Sequence, residues 1–509
     1  LTPIESTLTP IESTLTQSSD VAPFPLNEVQ LRVVKTGTKP VVVSAGPGTG
    51  KTRTLTERIV HQIRAGVWKG EQVLALTFTN QATAELATRL EDSLGVAGQS
   101  RPLVTTFHGF GKMVLETIFG QTVSIAEDET REALMGRVLG PEASKRRTQE
   151  MLEAVSLAKQ SPHPLAAIGD DEIRSTYLRY QQLLEQQSLC DLDDLVLTAY
   201  TLLSNDTLAA AHLAERFVAV CVDEYQDIND VQAALIRLLS PSGHNLLVIG
   251  DPDQAIYGFR GARPGHFTRF SETYVEAQSV SLDTSYRLSR PILNVAQAML
   301  GQKRPLSATK SGPKVEIVAC PTDASEAEQL LVRIEQLMGG SSHFAIDTGR
   351  AAEAEEPDLG FGDIAILSRL KTQRASICAA LSRSAIPCLM LGEDEPHDPR
   401  SEKIAIMTMH ASKGREFEVV FVVGVEQGLM PLALDGLNAD PEEERRLMYV
   451  AATRAKRRLI ISYTGHRVVF GKTLPGLPSP LLSNLPLPDV SFRTAAMPQK
   501  PHNRQLSLF

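Results

Sequence analysis

The stretch AGPGTGKT, from Ala45 to Thr52, constrains this chain more than any other. It follows the apolar β-branched run Val41–Ala45 and opens a helical pattern, so it occupies a strand-to-helix turn. Glycines there let backbone N–H groups close around an anion at a helix N-terminus, where the aligned peptide dipoles also favour negative charge. Gly46, Pro47, Gly48, Thr49 and Gly50 would form the cradle. Lys51 would reach the β- and γ-phosphates of a nucleotide, and the Thr52 hydroxyl would bind Mg²⁺. The strict pattern begins with Gly where this chain has Ala45, so the loop alone leaves a ligand-free Gly-rich turn open. Such turns belong to parallel sheets wrapped by helices, which the rest of the chain should then supply.

It supplies two. Val41–Ala45, Val73–Thr77, Val218–Val222 and Leu246–Gly250 are short apolar runs, each ending in small or polar residues before a helical pattern. A second set follows at Val315–Cys320, Ile364–Ser368, Ile404–Met409, Val419–Val425 and Leu459–Tyr463. Between Gly120 and Asn205 the strand signal vanishes and charged helical patterns take over. The reading is an α/β chain with two P-loop-type parallel-sheet units. The first spans 23–120 and 206–288, a helical insertion spans 121–205, and the second unit spans 289–486. A length of 509 residues independently requires several domains. The tandem LTPIEST repeat within 1–22 and the Pro-rich tail 487–509 are expected to be flexible, and Ser341–Gly360 a long polar loop. The repeat, in a chain that starts at Leu1, is given no function.

Composition sets limits. No apolar run approaches the roughly 18 residues that span a bilayer, and the N-terminus has no basic start with an apolar stretch. The five cysteines are scattered without a C-x-x-C pair and read as buried thiols in a reducing cytoplasm. The net charge of −9 restricts any nucleic-acid binding to a local basic groove with stacking surfaces.

FVAVCVDEYQD sets Asp223 and Glu224 at the end of an apolar strand, where adjacent carboxylates are costly unless used. Asp223 suits a Mg²⁺ partner, and Glu224 suits the base that orients and deprotonates an attacking water. Together with LNEVQ, AGPGTGKTRTL, LTFTNQATAEL, TTFHGF, IGDPDQAIYGFRGA, SYRLS, TMHASKGREFEVV and EEERRLMYVAATRAKRRL, this segment resembles the UvrD/Rep helicases of superfamily 1, PcrA-like members among them. The resemblance runs from Leu26 to about Pro486 and includes the leading Ala45. It implies two RecA-like domains with ATP between them and the following roles. Gln30 reads the adenine, which Arg53 and Tyr286 sandwich, and Glu416 contacts the ribose. Gln254 and Arg287 approach the γ-phosphate from either side, and Arg454 acts as an arginine finger where charge develops. It also implies 3′→5′ movement on single-stranded DNA and engagement of single-strand/duplex junctions.

Family positions suggest Phe78, Thr106, His108, Tyr257, Phe259, Arg260, His410 and Phe470 as DNA contacts. Tyr257 and Phe259, two residues apart beside Arg260, suit a stacking step next to a cation. For any one aromatic, plain core packing is the competing explanation.

Two departures matter. Relatives insert a large regulatory subdomain before TMHASKG, whereas only LGEDEPHDPRSE (Leu391–Glu402) stands there, so a slimmer motor is expected. No fused nuclease is expected after Arg457. The last residues, QLSLF, resemble a peptide that docks on the bacterial sliding clamp through Gln505, Leu506, Leu508 and Phe509. Three activities compete: a repair or replication helicase, a clamp-tethered translocase that strips proteins from DNA without unwinding, and a nucleotide-switched scaffold. The intact hydrolytic set disfavours the scaffold.

Overall fold

The computed structural model describes residues 25–495, apart from 96–99, 302–303, 340–354, 394, 396, 399 and 435–436. The LTPIEST repeat, most of the expected polar loop and the clamp-type peptide lie outside the described residues. Two parallel sheets organise the chain. The first has strands β1 (Val41–Ala45), β2 (Val73–Thr77), β3 (Leu103–Thr106), β4 (Ala219–Val222), β5 (Leu246–Gly250) and β6 (Gln278–Leu282), in the order β3-β2-β4-β5-β1-β6. Side chains alternate across a strand, and so do the cores. Val41, Val43, Val73 and Ala75 pack on one face against Leu55, Ile59, Leu86 and Leu90. Val42, Leu74, Leu76 and Val220 pack on the other against Phe107, Phe110, Leu195 and Leu235.

A parallel two-stranded ribbon, β7 (Thr284–Ser289) with β8 (Ser307–Lys310), leads to the second sheet. That sheet contains β9 (Val315–Cys320), β10 (Ile364–Ser368), β11 (Cys388–Met390), β12 (Ile404–Thr408) and β13 (Phe417–Val422). Its order is β11-β12-β10-β13, then Ala455–Thr464, then β9, then Val490–Thr494. All its pairings are parallel, and it too buries a core on each face.

The strand at Val490–Thr494 corrects the expectation of a flexible tail from 487. Val490 is buried, and the run pairs with β9 in register Val490↔Val315, satisfying an edge that would otherwise stay open.

The helical stretch behaves as two parts. Helices Asp128–Leu139, Lys145–Lys159 and Asp171–Gln186 share a core of their own around Met135, Met151, Val155 and Tyr180. Helix Leu192–Asn205 instead places Leu195, Ala199 and Leu203 in the core of the first sheet. The joint is pinned by Lys159, whose Nζ donates to Asp191 Oδ2 at 2.6 Å and lies 2.9 Å from Asp194 Oδ1, all three side chains buried. Between β11 and β12 the described residues form neither helix nor strand. Among the described residues no helix is long and apolar enough to cross a membrane.

Candidate active site and nucleic-acid interface

The Gly-rich loop joins β1 to helix Lys51–Arg64. Gly50 begins that helix at φ +84°, and no side chain caps it, whereas Asn27, Thr79 and Thr106 cap neighbouring helices. Its first N–H groups are therefore left for an outside acceptor. Gly48 has φ +71°, and a Cβ there would lie 2.5 Å from Arg287 Cβ and 2.7 Å from Ser285 Oγ. The close approach is β7 lying against the loop: Tyr286 N donates to Gly48 O at 2.9 Å and Ser285 Oγ to Pro47 O at 2.9 Å. Gln30 Nε2 donates to Thr49 O at 3.0 Å, and Asn27 Nδ2 to the Tyr286 hydroxyl at 2.8 Å, which brings the expected adenine readers to the rim.

Asp223 and Glu224 stand at the end of β4, with Glu224 in the left-handed region at φ +50°. Lys51 Nζ is 3.8 Å from Glu224 Oε1. Burial would raise the Glu224 carboxyl, but Lys51 and Lys413 outweigh it and hold the group at about 2. Burial and the neighbouring Glu224 charge push Asp223 up to about 7. A carboxylate that binds a proton this readily is short of positive charge, and a divalent cation shared with Thr52 fits that deficit.

The opposite wall comes from the second sheet. Arg454 is buried, and its hydrogen bonds run to neutral acceptors: Val450 O at 2.9 Å, Arg415 O at 3.3 Å, Gln254 Oε1 at 3.1 Å and Thr453 Oγ1 at 3.1 Å. Burial and the nearby Arg287 lower it to about 10. A buried cation on neutral partners favours an incoming anion, and a triphosphate fits. Arg287 pairs with Glu416 and donates to Thr453 O at 3.2 Å, so Glu416, expected on a ribose, here neutralises that arginine. Arg53 is half-buried on the first turn after the loop.

Beside the cleft, Phe78 stacks on Tyr257 with ring centres 5.5 Å apart at 15°. Phe259 lies 6.2 Å beyond Tyr257 and meets His410 edge-on at 5.5 Å. Arg260 sits over both Tyr257 and Phe259, at 5.4 Å and 5.5 Å. Burial, followed by Arg369, Arg260 and Lys413, pushes His410 down to about 3, leaving a neutral ring.

The amino-acid sequence matches the UvrD/REP helicase N-terminal domain over residues 26–275 and the UvrD-like helicase C-terminal domain over 391–466. This chain belongs to the UvrD/REP helicase family. Its curated relatives include an ATP-dependent DNA helicase PcrA of Leuconostoc citreum, 29% identical over 404 residues. That alignment covers 75% of this chain and 52% of the relative, so the chain spans about half of that protein's length. ATP-dependent DNA helicase UvrD2 of Mycobacterium tuberculosis is 27% identical over 563 residues, covering 88% of this chain and 80% of the relative. ATP-dependent DNA helicase Rep of Buchnera aphidicola subsp. Baizongia pistaciae is 22% identical over 640 residues, covering 92% and 95%.

Within this UvrD/REP chain the expected DNA contacts do not form one surface. Phe259 is 55% exposed, but Tyr257 is 8% exposed and shares a core with Ile256, Leu447 and Met448. Tyr257 therefore differs from the expected open stacking face, because the segment carrying it packs Ile256, Tyr257 and Ala262 into the core of the second unit. Thr106 caps helix Phe107–Met113, accepting from Gly109 N at 3.1 Å. His108, lowered by burial, faces Asp193 and Asp191 at the joint with the helical part. Phe470, exposed and at φ +50°, is at the turn between the short strands Val468–Val469 and Lys472–Thr473.

Two functional side chains were not singled out from the sequence. Lys413 Nζ donates to Asp227 Oδ2 at 2.5 Å and to Gln254 O at 2.7 Å, and lies 4.8 Å from the Tyr257 ring centre. Arg304 donates to Asp251 Oδ1 at 2.7 Å, Asp253 Oδ2 at 2.5 Å and Ser44 Oγ at 2.8 Å. For Lys413 the only signal was its place in TMHASKGREFEVV, where a lysine near His410 reads as surface charge.

Proposed function

We propose that this chain is an ATP-driven DNA motor that moves 3′→5′ on single strands and unwinds duplex in cytoplasmic repair or replication. The observation that carries the reading is Lys413. One nearly buried side chain of the second unit touches the hydrolytic edge, through Asp227 and Gln254, and the aromatic step, through Tyr257. In this reading the backbone of Gly46–Gly50 and Lys51 hold the phosphates of ATP, while Thr52 and Asp223 hold Mg²⁺, whose charge would offset that building on the phosphate oxygens. Glu224, kept ionised by Lys51 and Lys413, accepts the proton of the attacking water. Arg287 and Arg454 supply positive charge from the second unit, so closing the cleft and completing the catalytic set are one event. Phe259, Arg260, Phe78 and His410 form the strand-facing step, with Tyr257 supporting it from beneath. Thr106, His108 and Phe470 stand apart from this step and would meet the strand separately.

A second reading, a translocase that strips proteins without separating strands, is favoured by one observation: the described residues between β11 and β12 form neither helix nor strand. The residues Gln505, Leu506, Leu508 and Phe509 would tether either motor to a sliding clamp, and their deletion should abolish clamp binding. The deciding experiment is ATP-dependent unwinding of duplexes with a 3′ or a 5′ single-stranded tail, with Lys51→Ala as control. Unwinding of the 3′-tailed duplex alone, lost in the variant, supports the helicase. DNA-stimulated hydrolysis without displacement supports the translocase. Hydrolysis indifferent to DNA overturns both.

A further inference from the structure

The cysteines looked unrelated along the sequence, but two of them meet. Cys378 lies on helix Thr372–Arg383 and Cys388 opens β11, with a turn through Ala385 at φ +56° between them. Their Sγ atoms are 2.8 Å apart, and the Cys388 Sγ–H also reaches Cys378 O at 3.8 Å. Both are half-buried, whereas Cys221 and Cys320 are buried and Cys190 sits on Ser124 O in the helical part. A disulfide needs its sulfurs about 2.05 Å apart, so the bond requires a closing movement of under about 1 Å. The turn that sets this approach is fixed: Ile386 is buried and its N–H donates to Leu381 O at 3.0 Å. β11 is the outermost strand of its sheet, paired on one side through Cys388↔Ile404.

We propose that Cys378 and Cys388 are a reversible dithiol–disulfide pair that takes oxidising equivalents from a low-molecular-weight disulfide. One cysteine loses its proton to solvent, and its thiolate attacks the small disulfide, breaking that S–S bond and releasing one small thiolate, which takes up a proton. The second cysteine, deprotonated in turn, attacks the mixed disulfide on the protein sulfur, forms the Cys378–Cys388 bond and expels the second small thiol. Two cysteine thiols are oxidised by two electrons, and one small disulfide becomes two thiols. Burial and the adjacent Cys378 sulfur push the Cys388 thiol up to about 11, and the short Sγ–Sγ approach lets either sulfur resolve a mixed disulfide on the other. The clasp would join helix Thr372–Arg383 to the strand that continues into the loop whose Glu393 pairs with Arg260 at 2.8 Å.

The test incubates the full chain with oxidised glutathione, blocks free thiols and maps tryptic peptides. Trypsin separates the cysteines, since Arg383 lies between them. The expected product is peptide 375–383 joined to peptide 384–400, two hydrogens lighter than their sum and released by dithiothreitol. Cys388→Ser and Cys378→Ser should each hold glutathione on the remaining cysteine as a stable adduct, because neither has a resolving sulfur. Wild-type chain carrying free thiols or separate glutathione adducts on these peptides, with no joined species, overturns the proposal.

Discussion

Replacing Lys413 by Met tests the link between the two sites most directly. Lys413 is nearly buried, and its loss strands Asp227, a fully buried carboxylate left with Gln226 Nε2 at 3.1 Å. Removing one partner of a buried ion pair costs about 3–5 kcal/mol, on the order of 10 °C in the melting midpoint of a unit of this size. Burial already pushes Asp227 up to about 6, and Lys413 is the first influence opposing that rise. Without Lys413 the folded-state value climbs further above the unfolded one. The penalty is then complete at pH 8 and relieved as pH falls through the folded value, because the native state takes up a proton that the unfolded chain does not yet hold. Melting at pH 8 and pH 5.5 should show the larger loss at pH 8, and Asp227→Asn in the same chain should restore most of it. Coupling should not return with stability: the ratio of DNA-stimulated to basal ATP hydrolysis should stay down about tenfold, about 1.4 kcal/mol, in both variants. An equal loss at the two pH values, or full DNA stimulation in Lys413→Met, would refute the reasoning.

Gly48→Ala forces a side chain into the left-handed region and against Arg287 and Ser285. Strain of about 1–3 kcal/mol should weaken binding of a fluorescent ATP analogue about fivefold or more, and an unchanged Kd would count against the cradle. Phe259→Ala should weaken single-strand binding by about 1–3 kcal/mol with the melting midpoint unmoved, since the ring is exposed. Tyr257→Ala should instead lower the midpoint, as a buried ring does, and fluorescence anisotropy with melting separates the two. Glu393→Gln frees Arg260 from a partly exposed pair, so single-strand affinity should rise up to about fivefold and depend more steeply on salt. Weaker binding in that variant would show that the loop assists DNA binding.

The strands that the amino-acid sequence declared are those buried on both faces. Val73–Thr77, Leu246–Gly250 and Ile364–Ser368 are nearly continuous apolar runs, and the structure has strands at those residues. Edge and ribbon strands escaped. Gln278–Leu282 is mostly exposed, Cys388–Met390 is short, and Thr284–Ser289 is held by partners far along the chain. Side chains whose role lies in a local pattern, such as Lys51 and the Asp223–Glu224 pair, could be read directly. Roles created by distant contact could not: Lys413 meets Asp227 across 186 positions, and Glu416 meets Arg287 across 129. Helix Leu192–Asn205 was grouped with its helical neighbours because periodicity shows which face is apolar, not which core receives it.

The segment Ile256–Ala262 belongs to the first unit in sequence yet sinks Ile256, Tyr257 and Ala262 into the core of the second, where Arg446 Nε donates to Ala255 O at 2.7 Å. The two halves therefore share a fulcrum. In the motor proposed above, a roll of the halves about it would displace each part in proportion to its distance from the pivot, leaving Phe259 and Arg260 nearly still while outlying parts sweep. A stationary pawl at the pivot and a moving arm beyond it would let such a motor advance along a strand without losing its grip.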